Sequence, residues 1–259
     1  MTDIRTRNGG QLLMDSLVAL GATRGFGVPG ESYLAVLDAM VDHANAFDLV
    51  LCRQEGGAAY MAAAWGKLTG EPGLCFVTRG PGATNATVGI HTAMQDSVPM
   101  ILFVGQVGTD VMGREAFQEV DYTAFFGPLA KWAVQIDHVD RVPEIISRAW
   151  TVAMSGRPGP VVVALPEDML VATSDRLPCN PVAIPEPAVP EAGAAQIAAM
   201  LGAAERPVML VGGTRWTAGS ARALESFSAV NDVPVVAAFR FHDIIDNHCP
   251  SFVGDAGVA

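Results

Sequence analysis

Glu55 is the residue of this chain best placed to handle a proton. A short apolar run, Leu49, Val50, Leu51 and Cys52, reads as a buried strand. After Arg53 and Gln54 the chain enters a helix rich in small residues that stops at Gly70. A carboxylate thus stands where a strand gives way to a helix, the edge at which open α/β sheets bind ligands. Gly56 and Gly57 follow and weaken the helix start, which makes sense where a flat ring or another helix must come close. On position alone the plainer reading is a surface carboxylate at the positive end of a helix.

Further candidates recur at predicted strand ends. Arg79-Gly80-Pro81-Gly82-Ala83-Thr84-Asn85 lies between a strand and a helix. Its glycines allow close backbone approach, and the helix start offers free N–H groups. The spacing is neither a Walker loop nor a Rossmann fingerprint, and it reads equally as a phosphate cradle or a tight turn. Gly27-Val28-Pro29-Gly30-Glu31 occupies a similar position, and Gly212-Gly213-Thr214 is a looser likeness. In Phe117-Gln118-Glu119, Gln118 offers a hydrogen bond to a substrate and Phe117 a pocket wall. Cys52, Cys75, Cys179 and Cys249 are too far apart for a zinc set and are expected to be buried free thiols, mostly within apolar strands.

The elements that must hold these groups alternate along the chain. Strands are predicted at 25–28, 49–52, 73–78, 100–104, 131–136 and 160–165, with helices at 11–20, 31–45, 55–70, 84–95 and 142–154. This is the pattern of an α/β fold, a parallel sheet flanked by helices on both faces. Residues 106–129 break the period, and their aromatics (Phe117, Tyr122, Phe125, Phe126) argue for an ordered, functional loop. Pro178, Pro181, Pro185, Pro187 and Pro190 mark a linker. Beyond it, helices at 192–203 and 220–230 and strands at 207–211 and 233–237 are too few to cover a sheet. The expected organisation is a first domain over 1–175, a linker over 176–190 and a truncated second α/β domain over 191–259.

Half of the 259 residues are apolar, 17% are charged and the net charge is −11. Nucleic acid and acidic membranes are poor partners for such a chain, and its many small apolar residues predict subunit contact. The start, MTDIRTRNGG, has no apolar signal core, and no apolar run approaches the length of about 18 residues that a membrane span needs. The expected location is the cytoplasm, with no membrane partner.

In order, GVPGE at 27–31, RQEGGAAYMAAAWGKLTG at 53–70, TRGPGATN at 78–85, DSVPMILFVGQV at 96–107, AFQEVD at 116–121 and SGRPGPVVVALPEDM at 155–169 resemble the pyrimidine-binding domain of thiamine-diphosphate enzymes. The likeness is to the acetolactate synthase group, and residues from about 190 resemble the start of its central domain. The resemblance implies the N-terminal part of a thiamine-diphosphate-dependent 2-oxo acid decarboxylase or carboligase. Glu55 would hydrogen-bond the cofactor's aminopyrimidine N1′ and activate it, with Gln118 as the second catalytic residue. Pro29, Gly30, Glu31, Gly80, Pro81, Gly82 and Asn85 would line the cofactor site beside Glu55, and Phe117 and Gln118 would face the 2-oxo acid. It implies a homodimer or homotetramer, because the family builds each site from two subunits. Mg²⁺ would be held by a downstream domain outside this sequence, with no metal ligand here, so the chain alone is expected to be inactive. A flavin (FAD) site in the full-length protein stays open.

The chain departs from the acetolactate synthase pattern at Gln54, where histidine is common, and at Pro166-Glu167-Asp168, where Pro-Lys-Asp is usual. Its helix reads MAAAWGK in place of Met-Ala-Asp-Gly-Tyr-Ala. The resemblance therefore implies the group and not one substrate. The alternative is a non-catalytic truncated homologue serving as an interaction or regulatory subunit. A dinucleotide-dependent dehydrogenase ranks last, for want of a glycine fingerprint after the first strand.

Overall fold

In a computed structural model that describes residues 6–181 and 183–257, the chain divides into two compact units, Met1–Pro185 and Glu186–Ala259. The first runs β1 (Arg7–Asn8), α1 (Gly9–Ala19), β2 (Arg24–Gly27), a 3-10 turn (Glu31–Tyr33), α2 (Leu34–Asp42), β3 (Asp48–Leu51), α3 (Glu55–Thr69), β4 (Gly73–Val77) and α4 (Gly80–Asp96). It continues with β5 (Met100–Gln106), α5 (Tyr122–Phe126), β6 (Trp132–Gln135), α6 (Val142–Met154), β7 (Pro160–Pro166), α7 (Glu167–Val171) and β8 (Thr173–Ser174).

Six of these strands form one parallel sheet in the order β3-β2-β4-β5-β7-β6. The central strands β4, β5 and β7 are buried along their whole length and almost wholly apolar because both faces are covered. Leu74, Phe76, Ile101, Phe103, Val161 and Val163 pack into a core with α1, α2 and α6. Cys75, Val77, Leu102, Val104, Val162 and Ala164 face the other way, against α3, α4 and α5. Asn8 starts α1 with a capping box to Gln11. Gly70 ends α3 in the left-handed region, at φ 76°.

The alanine faces of α3 are filled from within the chain. Ala58, Ala59, Ala62 and Ala63 are buried against α4, whose Gly89 lies so close that an added Cβ would stand 2.7 Å from the Ala59 carbonyl carbon. The face of α3 left to solvent is the bulkier one, with Tyr60, Met61 and Leu68 exposed. It is this face, and not the alanines, that is available to a partner.

Other expectations are corrected. Helix α4 begins at Gly80 and not Thr84, so Gly80-Pro81-Gly82 is its first turn. Proline suits that position because its missing N–H would lack a helical partner anyway. Helix α2 is preceded by the 3-10 turn at Glu31 and ends at Asp42, short of Asn45. Of the four free cysteines only Cys75 is buried and lies within a strand. Part of the proline-rich segment lies on the first unit: the Cys179 N–H donates to the Ser16 hydroxyl at 3.4 Å, and Ile184 packs against the core.

The second unit has α8 (Glu191–Ala203), β9 (Met209–Val211), α9 (Ala218–Asn231), β10 (Val235–Ala238) and β11 (Phe252–Ala256). Its three strands are parallel in the order β11-β10-β9. Val211, Val235, Ala237, Ile244 and Ile245 form its core, while α8 buries none of its residues.

Candidate active site

Because the six main strands are parallel, their carboxyl ends share one edge of the sheet. That edge gathers Glu31 after β2, Glu55 after β3, Arg79 after β4, the 107–121 loop after β5, and Glu167 and Asp168 after β7. The chain leaves β2 for β3 on one side and then crosses to β4 on the other. The crevice between β2 and β4 is thus the topological switch point, where such sheets bind ligands.

Side chains brace this crevice. The buried Tyr33 hydroxyl donates to the Val28 carbonyl at 2.6 Å. Burial pushes its pKa well above the usual phenol value, so it remains a donor. The Ser32 and Thr78 hydroxyls meet at 2.9 Å, and Gly30 lies against Thr78. Arg79 Nη1 donates to Glu31 Oε1 at 2.9 Å, and Nη2 binds Glu167 Oε1. The Arg79 side chain is 10% exposed against 69% for Glu31 and 40% for Glu167, so the cation lies beneath two acids. Its Nε has no partner among the described residues, nor does the Tyr122 hydroxyl.

Glu55 opens α3 with its side chain half-buried. Asn85, in the second turn of α4, donates from Nδ2 to Glu55 Oε2 at 2.9 Å. The other carboxylate oxygen has no hydrogen-bond partner among the described residues. Gln54 caps the helix, its Oε1 accepting the Gly57 N–H at 2.8 Å. Gly56 is packed, since a Cβ there would stand 3.2 Å from the Asn85 carbonyl oxygen; Gly57 is open. Around the neighbouring turn, the Gly80 N–H donates to the Gln118 carbonyl at 3.0 Å. Phe117 is 73% exposed, and Pro29 and Pro81 also reach solvent.

Two groupings therefore emerge among the residues singled out from the sequence: Glu55 with Asn85, and Gly80 with Gln118. Glu31 is joined to Arg79, a bond the sequence reading missed although the charge reversal at Glu167 signals a cation nearby. It also missed Tyr33, and Asp168, which accepts the Thr109 N–H at 3.1 Å and the Thr109 hydroxyl.

Residues 7–125 match the family model described as thiamine pyrophosphate enzyme, N-terminal TPP binding domain, and residues 194–259 match the central domain of the same family. The chain belongs to the thiamine pyrophosphate enzymes. Within that family its relatives include acetolactate synthases. It is 35% identical over 251 residues to acetolactate synthase isozyme 2 large subunit of Escherichia coli (strain K12), covering 97% of this chain and 45% of that protein. It is 36% identical over 238 residues to isozyme 3 large subunit of the same organism, covering 89% of this chain and 41% of that one. Against the acetolactate synthase large subunit of Lactococcus lactis subsp. lactis (strain IL1403), identity is 35% over 236 residues, 89% of this chain and 40% of that protein. The chain spans less than half the length of these relatives.

The edge described above suits the aminopyrimidine end of thiamine diphosphate: a half-buried carboxylate with one oxygen oriented by an amide and the other without a hydrogen-bond partner among the described residues. Among the described residues no group of three His, Cys, Asp or Glu is placed to hold a metal ion. Among them, too, no helix is long and apolar enough to cross a membrane.

Proposed function

We propose that this chain is the N-terminal part of a thiamine-diphosphate-dependent 2-oxo acid decarboxylase or carboligase of the acetolactate synthase type. The observation that carries the reading is the Glu55 carboxylate at the tip of β3, held by Asn85 on the neighbouring helix. Thiamine diphosphate, when bound, would supply a carbon acid whose conjugate base can add to a 2-oxo acid carbonyl, and a ring able to hold the electrons released with carbon dioxide. Glu55 binds the aminopyrimidine N1′ and shares a proton there, which makes the 4′ nitrogen a better base. Asn85 fixes the rotamer of Glu55. Pro29, Gly30, Glu31, Gly80, Pro81 and Gly82 line the cofactor's mouth, and Phe117 and Gln118 meet the substrate. Magnesium and any flavin belong to parts of the longer protein.

Residues 1–175 are the pyrimidine-binding domain, 176–190 the linker and 191–259 the beginning of the central domain. The active unit is a homodimer or homotetramer, supported by the exposed apolar side chains of α3 and by Leu51 beside them, 67% exposed. Free cysteines suit a reducing cytoplasm.

The test uses the full-length protein with thiamine diphosphate, Mg²⁺ and a panel of 2-oxo acids. Proton–deuterium exchange at the cofactor's C2 should be accelerated by the wild type and fall toward the free-cofactor rate in Glu55→Gln. Unchanged exchange in the variant removes Glu55 from the mechanism. No acceleration by the wild type favours a non-catalytic subunit.

A further inference from the structure

The loop over 107–121 has neither helix nor strand, yet it is stitched at every stage. Asp168 holds its start at Thr109. Near its end the Gln106 side chain donates to the Val120 carbonyl at 2.8 Å. Between these, one side chain closes a turn on itself. Glu119 Oε1 accepts the Gly113 N–H at 2.6 Å, Oε2 accepts the Ala116 N–H at 3.0 Å, and the Glu119 N–H donates to the Ala116 carbonyl at 3.0 Å.

Inside this turn Glu115 (φ 54°) and Gln118 (φ 64°) adopt the left-handed region without being glycine. Such backbone persists only where its surroundings dictate it. Gln118 is in that state while its carbonyl takes the Gly80 N–H, a tight contact in which a Cβ on Gly80 would stand 2.9 Å from the oxygen. Asp121 does separate work, capping α5 through the Ala124 N–H at 3.0 Å.

We propose that Glu119 is a positioning residue: its carboxylate fixes the 113–119 turn, holds Gln118 left-handed, and through the Gln118 carbonyl couples the loop to the glycine turn of α4. The coupling stands on this geometry alone. Its consequence for catalysis, that Glu119 presents Phe117 and Gln118 to a 2-oxo acid, rests on the proposed function.

Amide hydrogen exchange on the chain tests the coupling. In Glu119→Ala the amides of Gly113, Ala116 and Gly80 should exchange at least tenfold faster, while the buried Cys75 and Leu102 amides, which report the core, stay unchanged. Glu119→Gln, which keeps one acceptor oxygen, should recover part of the protection, and Asp121→Ala should leave Gly80 as it is. Gly80 exchange within twofold of wild type in Glu119→Ala, with Gly113 and Ala116 accelerated, overturns the proposal. In the full-length enzyme Glu119→Ala should raise KM for the 2-oxo acid about tenfold with a smaller change in kcat, and Glu119→Gln should restore part of it. An unchanged KM alongside a loosened Gly80 removes the substrate role. A wild type that turns over no 2-oxo acid sinks the functional reading, and the Gly80 result still decides the coupling.

Discussion

Replacing Gly89 by alanine tests whether the α3–α4 contact holds Glu55 and Asn85 together. Ordinary carbon contacts lie near 3.5–4.0 Å, yet a Cβ at Gly89 would stand 2.7 Å from the Ala59 carbonyl carbon and 3.0 Å from its oxygen. Those atoms are helix backbone, so the clash is relieved only by moving one helix off the other by about 1 Å. Overpacking of this kind costs about 1–3 kcal/mol, here near the upper figure because no flexible side chain can yield. Alanine returns up to about 1 kcal/mol of helix propensity. The net expectation is a loss of about 2 kcal/mol from the first unit. Native-state exchange of the Cys75 and Leu102 amides, which open only with the core, reads that loss without interference from the second unit. Gly202, in α8 of the second unit with nothing within 4 Å, is the control: its alanine variant should leave Cys75 and Leu102 exchange unchanged. A Gly89→Ala protein as stable as wild type, or more so, refutes the close-contact account and with it the idea that α4 positions Asn85 through α3.

Arg79→Ser leaves Glu31 and Glu167 facing each other without a cation. Both acids are partly solvated, so the loss should be about 1–2 kcal/mol, below the cost of breaking a buried pair. Adding Glu167→Lys to Arg79→Ser should restore most of it, as a double-mutant cycle in denaturant unfolding will show. Burial raises the Asp168 pKa, but the Thr109 hydroxyl and N–H outweigh it and hold the carboxyl below its usual range. Its contribution is therefore complete above the unfolded value of about 4 and is lost as pH falls through the lower folded value. The protection factor at Thr109, its exchange corrected for the intrinsic base-catalysed rate, should fall only in that acidic window, and a fall between pH 5 and 7 would contradict the assignment.

The fold was legible because its central strands are buried on both faces. GLCFV and MILFV carry no polar residue and admit no other placement, and Gly70 marks the end of α3 with its left-handed turn. The start of α4 was misread: two glycines around Pro81 suggest a loop, and the one local signal for a helix there, proline's fitness for a first turn, was outweighed by them. The place of Glu55 at the start of α3 was legible from the strand and helix around it, but Asn85, which binds it, lies 30 residues away and no local pattern pairs them. The Arg79 bridge and the Glu119 turn were hidden for the same reason: a salt bridge between strand tips and a carboxylate folded onto its own loop have no periodicity.

The sheet also shields Cys75 from chemistry. Burial drives its thiol well above the usual cysteine range, and nothing reaches it from solvent. Cys52, Cys179 and Cys249 are each partly accessible, so an alkylating reagent meets three thiols in the folded chain and a fourth only after the central strands separate. Counting labels by mass therefore gives a direct, cofactor-free measure of how often the first unit opens.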